Sequence, residues 1–178
     1  MCFVGHSVSA MIGVLAAIYR PNLFSDLILI GPSPCYINDG NYHGGFPKEA
    51  IEELLNNADN DYLGWARAMA PIIMARSDQI EFETELTNSF CRTNPEIARH
   101  FARVLFLSDN RNDVSNLQTP SLILQCSQDI IAPESVGKYL HEKIIGSKYH
   151  KLRAIGHCPH VTEPEETIIA MRNYLNRK

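Results

Sequence analysis

Three polar residues, which follow one another along the chain as serine, aspartate and histidine, could together perform nucleophilic chemistry. Ser7 lies in the run Gly5-His6-Ser7-Val8-Ser9, Asp129 follows a short apolar run, and His157 lies near the C-terminal end. A serine hydroxyl becomes a nucleophile when a histidine takes its proton, and a carboxylate orients that histidine. We therefore predict a catalytic triad with Ser7 as the nucleophile, His157 as the base and Asp129 as the orienting acid.

The residues around Ser7 are typical of a sharp strand-to-helix turn, the nucleophile elbow, whose pattern is G-x-S-x-G. Small residues on both sides let such a turn close, and here Ser9 stands where the pattern has its second glycine. The turn would place the serine at a helix N-terminus, where the backbone N–H of Val8 can face a developing oxyanion. His6 is predicted to be a packing residue rather than a base. A plain capping turn is the alternative interpretation.

Asp129 and His157 are both predicted in loops at one edge of a sheet. Asp129 comes shortly after the apolar run 121–125, and Pro133 then begins a helix. His157 lies between a weaker candidate strand, 147–154, and the final helix, and Gly156 is expected to let its loop bend. Sites in open α/β sheets form at the carboxyl ends of the strands. Taken alone, Asp129 is equally well explained as a helix-capping aspartate.

The elements that must position these residues alternate short apolar runs with helical patterns. Fully apolar strands between helices indicate a parallel sheet covered on both faces. The final helix begins at Pro164 and has apolar residues at helical spacing. The predicted core elements are strands over 1–4, 27–30 and 121–125, and a buried helix over 8–19.

Residues 34–116 differ, because four helices and no strand are predicted there. The helices are indicated by Pro47 with the apolar face that follows it, by apolar faces around Trp65 and Leu86, and by the Asn94-Pro95 cap. We therefore divide the chain into a core segment 1–33, a helical lid 34–116 and a second core segment 117–178.

Composition excludes several classes of function. The 178 residues are 45 % hydrophobic and 20 % charged, with a net charge of −4, so no electrostatic footprint for nucleic acid or an anionic membrane is expected. No apolar run reaches membrane-spanning length, and no signal peptide is visible at the start. His157, Cys158 and His160 lack a second ligand cluster, so neither a metal nor an organic cofactor is predicted. The five cysteines are expected to be free thiols in the cytoplasm.

Several short motifs together resemble one group of proteins, the α/β-hydrolases of the RsbQ group, to which plant strigolactone and karrikin receptors are related. The resemblance covers essentially the whole chain. The matching motifs are residues 5–13, 20–24, 31–36, 42–46, 62–65, 106–111, 120–126 and 156–160.

This resemblance implies an α/β-hydrolase fold, with a mostly parallel sheet and a lid of four inserted helices above the site. It implies a slow hydrolase or a receptor of a small hydrophobic ester or lactone. RsbQ-like proteins act with a PAS-domain phosphatase in activating a stress sigma factor, so a ligand-binding signalling partner of such a phosphatase is the alternative. The substrate-binding residues implied by position are Tyr36, Trp65, Met69, Phe106 and Ile131, with ordinary helix packing as the other interpretation.

The chain departs from the family at its start. Members of the group carry further strands, two helices and an oxyanion loop before the elbow, whereas Ser7 is the seventh residue here. We therefore expect the early strands and one oxyanion donor to be absent, the strand before Ser7 to be a stub, and the exposed sheet edge to be long and apolar. An incomplete gene or a mis-assigned start at Met1 would explain this, and an inactive truncated fragment is the third hypothesis.

Overall fold

A computed structural model describes residues 1–176, in which four parallel strands form one sheet in the order β1-β2-β3-β4. The expected parallel sheet of the α/β class is confirmed. The strands are β1 Cys2–His6, β2 Asp26–Ile30, β3 Ser121–Gln125 and β4 Lys148–Lys151.

The two central strands are apolar along their whole length because both faces of the sheet are covered. Leu27 and Leu29 of β2 pack with α1 (Val8–Tyr19) and α6 (Glu134–Lys143) on one face. Ile28 of β2 packs with α8 (Pro164–Leu175) on the other face. The sheet is thus the middle layer of three, and the carboxyl ends of its strands meet at one edge.

Two predicted strands have different bounds. The first strand is not a stub, because β1 pairs with β2 from Cys2 to His6 and ends only where the backbone of Ser7 turns sharply. The fourth strand is shorter than predicted, since regular pairing covers only Lys148–Lys151. Residues 152–154 then run beside the loop after β3, where Ser127 N–H donates to the Ala154 carbonyl at 2.9 Å.

Four helices lie between β2 and β3 in the chain: α2 Lys48–Asn60, α3 Tyr62–Met74, α4 Ile80–Arg92 and α5 Pro95–Leu107. Asn94 caps α5, as predicted, because its side chain accepts from the N–H groups of Glu96 and Ile97. Together the helices and the loop after β2 bury a cluster of their own that includes Ile51, Met69 and Phe106. The segment boundaries at residues 33 and 117 stay a prediction.

The remaining elements are short. A 3₁₀ turn at Val114–Asn116 leads into β3, and the four-residue helix α7, Pro159–Thr162, follows the loop of His157. Neither was predicted from the sequence. No helix within residues 1–176 has both the length and the apolar character needed to cross a membrane.

Candidate active site

Ser7 stands at the sharp turn between β1 and α1. Its backbone has φ 55° and ψ −123°, a left-handed conformation that residues other than glycine rarely adopt and that marks strained, functional positions. The Ser7 N–H donates to the Ile30 carbonyl at 2.8 Å, which fixes the turn on the end of β2. Gly5 is required for the turn, because a Cβ there would lie 2.7 Å from the backbone nitrogen of Ala10.

The structure brings Ser7, His157 and Asp129 together in one chain of hydrogen bonds. His157 Nε2 lies 2.8 Å from Ser7 Oγ, and His157 Nδ1 lies 2.7 Å from Asp129 Oδ2. A carboxylate only accepts, so Nδ1 carries the imidazole proton and Nε2 is free to accept the proton of the Ser7 hydroxyl. This is the arrangement in which a serine is made nucleophilic.

Both oxygens of the Asp129 carboxylate accept hydrogen bonds. Its carboxylate is fully buried. Its second oxygen, Oδ1, accepts from the backbone N–H groups of Ile131 at 2.9 Å and Ala132 at 3.0 Å. These bonds organise the loop before Pro133, the N-cap position of α6, rather than capping that helix itself. Asp129 therefore orients His157 and its own loop at once.

The main chain of His157 is tied on both sides. Its N–H donates to the carbonyl of Ile73, in the last turn of α3, at 2.7 Å. Its carbonyl accepts from Nε2 of His6 at 2.7 Å. Gly156 has φ 78° and touches the end of α3, since a Cβ there would lie 2.2 Å from the carbonyl oxygen of Met74. The loop that carries His157 is thus in direct contact with the end of α3.

The imidazole rings of His6, His157 and His160 lie close together. The ring centre of His6 lies 4.8 Å from that of His157 and 4.5 Å from that of His160. Burial, helped by repulsion from the other two histidines, lowers the pKa of His6 to about 3. Burial, with repulsion from His157, also lowers the pKa of His160. Both neighbours of the base are therefore neutral at pH 7.

A cavity of about 570 Å³ opens above Ser7 among α3, α4 and α5. Val8 lies at its floor, and as the first residue of α1 its N–H lacks an acceptor within the helix. Four of the five predicted substrate-binding residues line the cavity. They are Trp65, Met69, Phe106 and Ile131. Most other lining residues lie on the apolar faces of the helices, and they include Leu86, Phe90, Phe101 and Leu105. The sequence did not predict these residues as part of a binding site.

Tyr36 is the fifth predicted residue, and the structure places it behind the cavity wall. Its ring packs edge-on against Phe106, with ring centres 5.2 Å apart. Its side chain is buried and its hydroxyl has no hydrogen-bond partner among residues 1–176. Burial raises the pKa of this hydroxyl to about 12, although the nearby Ser7 hydroxyl acts in the opposite direction. A buried polar group without a partner is unusual, and this one lies beside the nucleophile.

The cysteines offer no second nucleophile at the site. Cys158 borders the cavity, but burial raises its pKa to about 12, so it stays a thiol. No disulfide joins the five cysteines, and no group of His, Cys, Asp or Glu side chains within residues 1–176 is arranged to hold a metal ion.

No protein-family model matches the chain. It is 36 % identical over 176 residues to a strigolactone esterase of Arabidopsis thaliana, across 98 % of this chain and 66 % of that protein. It is 34 % identical over 175 residues to Karrikin insensitive 2 receptor IA of Petunia hybrida, across 98 % of this chain and 64 % of that protein. The chain thus spans slightly less than two thirds of the length of these relatives.

The chain is also similar to proteins of known structure. A hydrolase from Oleispira antarctica superposes with a TM-score of 0.95 at 37 % identity, across 99 % of this chain and 65 % of that one. An esterase from Exiguobacterium antarcticum, 20 % identical, superposes with a TM-score of 0.89, which supports the fold alone. The chain is thus similar to proteins named as a strigolactone esterase, a karrikin insensitive receptor and a hydrolase. The expected partial α/β-hydrolase fold is confirmed.

Proposed function

We propose that this chain, which has the α/β-hydrolase fold, is a serine hydrolase that cleaves a small hydrophobic ester or lactone. The observation that carries the proposal is the hydrogen-bonded chain from Ser7 through His157 to Asp129 on the floor of an apolar cavity. The names of its relatives, which include esterases and a hydrolase, give support. The geometry supports the catalytic roles proposed below.

In the proposed reaction, Ser7 Oγ attacks the carbonyl carbon of the substrate and its proton passes to His157 Nε2. Asp129 stabilises the imidazolium that forms, because it stays ionised and accepts from Nδ1. The carbonyl oxygen becomes an oxyanion, which accepts from the Val8 N–H. His157 then returns the proton to the leaving oxygen, and water cleaves the acyl group from Ser7 by the same steps.

The walls of the cavity support the proposed substrate class. The side chains from α3, α4 and α5 are mostly apolar or aromatic, with Ser89 and Thr93 as neutral polar exceptions, and the histidines lie near Ser7. A charged substrate would lose its hydration there without gaining an ion pair, since no Lys, Arg, Asp or Glu side chain lines the cavity in the described part of the chain. The cavity, about 570 Å³, has the size of a site for one small organic molecule.

The test is hydrolysis of p-nitrophenyl acetate and butyrate by the purified chain. Ser7→Ala removes the nucleophile, and we expect turnover to fall by about 10³-fold or more. Ser115→Ala is the matched control, because Ser115 is exposed in the 3₁₀ turn before β3. Equal turnover by the wild type and Ser7→Ala would overturn the proposal.

A second candidate function is ligand-binding signalling, which the receptor names among the relatives favour. In this role the cavity holds the ligand, and α3 transmits its presence, since the end of that helix contacts the His157 loop. A PAS-domain phosphatase is the partner proposed from the RsbQ resemblance, and a cytoplasmic location belongs to the same proposal. Binding of such a phosphatase in a pull-down, dependent on an added lactone, supports this role, whereas ester turnover without any binding counts against it.

A further inference from the structure

His6 precedes the nucleophile, yet its side chain contacts the loop of the base. Its Nε2 lies 2.7 Å from the main-chain carbonyl oxygen of His157, a residue 151 positions away. A carbonyl can only accept, so Nε2 carries the proton and His6 is the donor. His6 thus holds the main chain of His157, the residue that is proposed to deprotonate Ser7.

This bond completes the restraint of His157. Asp129 holds the imidazole through Nδ1, and the Ile73 carbonyl holds the main-chain N–H. Among the hydrogen bonds of the described residues, only the His6 bond reaches the His157 carbonyl, on the side of the loop that leads to Cys158. Without it, the main chain of His157 would be held from one side only.

The charge state of His6 suits this role. The titratable side chains that face it are His157 and His160, and neither is an anion that would favour a charged His6. A neutral His6 adds no repulsion when His157 takes the proton of Ser7. A permanently cationic donor at the same position would oppose that step.

We propose that His6 is a positioning residue: its Nε2–H holds the His157 carbonyl and so keeps the imidazole within reach of Ser7. This inference rests on the proposed hydrolase function for its kinetic consequence, but its structural consequence is independent of turnover. Misplacing a catalytic group by about 1 Å costs on the order of 10²-fold in rate, so the bond is expected to act on kcat rather than on KM.

Three variants of His6 test the role. His6→Gln keeps an N–H donor at the same number of bonds from the backbone, whereas His6→Leu removes it. His6→Asn has the same amide group as the glutamine variant, but its side chain is one bond too short to reach the His157 carbonyl. It replaces the leucine variant in the test if that variant does not fold. We expect kcat for p-nitrophenyl acetate to fall about 10-fold to 100-fold in the Leu and Asn variants and to be restored by Gln, with KM unchanged.

A second readout does not depend on turnover. The proton shared by His157 Nδ1 and Asp129 gives a low-field ¹H NMR resonance, which we expect in the wild type and His6→Gln and expect to be broadened by exchange in His6→Leu and His6→Asn. His150→Leu, on the exposed strand β4, is the matched control and should leave both readouts unchanged.

Two results would overturn the role: a leucine or asparagine variant with wild-type kcat and resonance, or a glutamine variant as impaired as they are. Failure of the hydrolase proposal is recognised separately, because Ser7→Ala would then leave turnover unchanged while the resonance still decides whether His6 positions His157.

Discussion

Gly156 gives the sharpest prediction, because it joins the loop of the base to the inserted helices. It has φ 78°, and a Cβ at this position would lie 2.2 Å from the carbonyl oxygen of Met74 at the end of α3. Gly146 is a matched control, since it has φ 79° and nothing within 4 Å of the corresponding Cβ. Both Gly→Ala changes introduce the same backbone strain, but only Gly156→Ala introduces a steric clash with α3.

The magnitude follows from these distances. The left-handed backbone costs an alanine about 1–2 kcal/mol, so Gly146→Ala should destabilise by that amount. Gly156→Ala adds a contact of 2.2 Å, and real Cβ contacts are essentially never below 3.0 Å, so the loop and α3 must separate by about 1 Å. That displacement lengthens the bond from His157 N–H to the Ile73 carbonyl, now 2.7 Å, and moves the imidazole. We expect a further loss of about 1–2 kcal/mol and a fall of about 10²-fold in kcat.

The assay combines urea unfolding with hydrolysis of p-nitrophenyl acetate, performed on both alanine variants. Gly146→Ala should lose stability and keep its kcat. Gly156→Ala should lose more stability and also lose kcat at a temperature where it is fully folded. Equal kcat in the two variants would refute the reasoning, because the position of His157 would then be independent of its contact with α3.

The other predictions concern single side chains at the site. Tyr36→Phe removes a buried hydroxyl that makes no hydrogen bond of regular geometry but lies near the Ser7 hydroxyl. We expect the free energy of unfolding, measured in urea, to rise by at most about 1 kcal/mol, and a loss would mean that this hydroxyl bonds to Ser7. Asp129→Asn should lower kcat by about 10⁴-fold, because the amide favours the wrong tautomer of His157; an unchanged kcat would exclude Asp129 as the orienting acid. His6 has a folded pKa of about 3, below the unfolded value of 6.5, so its contribution to stability is present above pH 6.5 and is lost as the pH falls toward 3. Between pH 7 and pH 5 the wild type should therefore lose about 2 kcal/mol more stability than His6→Gln, and equal losses in two unfolding series would contradict a neutral, partly buried His6.

The sequence predicted which side chains would meet at the site, because the signals for them are local. The elbow pattern predicted Ser7, and the order of residues predicted Asp129 and His157, which the structure then brings into hydrogen-bond contact. Their catalytic roles stay a prediction. Helix α1 and strand β3 have the predicted bounds, since apolar periodicity and flanking prolines are local signals too. Strand β1 was predicted too short, because Gly5 and His6 are turn-like in sequence while pairing with β2 extends them.

What sequence could not supply is the restraint of the base. The partners of the His157 main chain are the His6 imidazole and the Ile73 carbonyl, and the second is a backbone group that any residue could provide. His6 was predicted to be a packing residue, since nothing in the pattern indicates a bond across 151 positions. Tyr36 was expected to line the cavity, but whether an aromatic ring on a loop faces the cavity or lies behind Phe106 depends on tertiary packing.

The central claim is that Ser7 is a nucleophile activated by His157, and covalent labelling tests it most directly. The purified chain is treated with a fluorophosphonate, digested, and mapped by mass spectrometry. We predict one adduct, on Ser7, which His157→Ala slows by about 10³-fold or more. Labelling of another serine, or equal labelling of Ser7 without His157, would contradict the account.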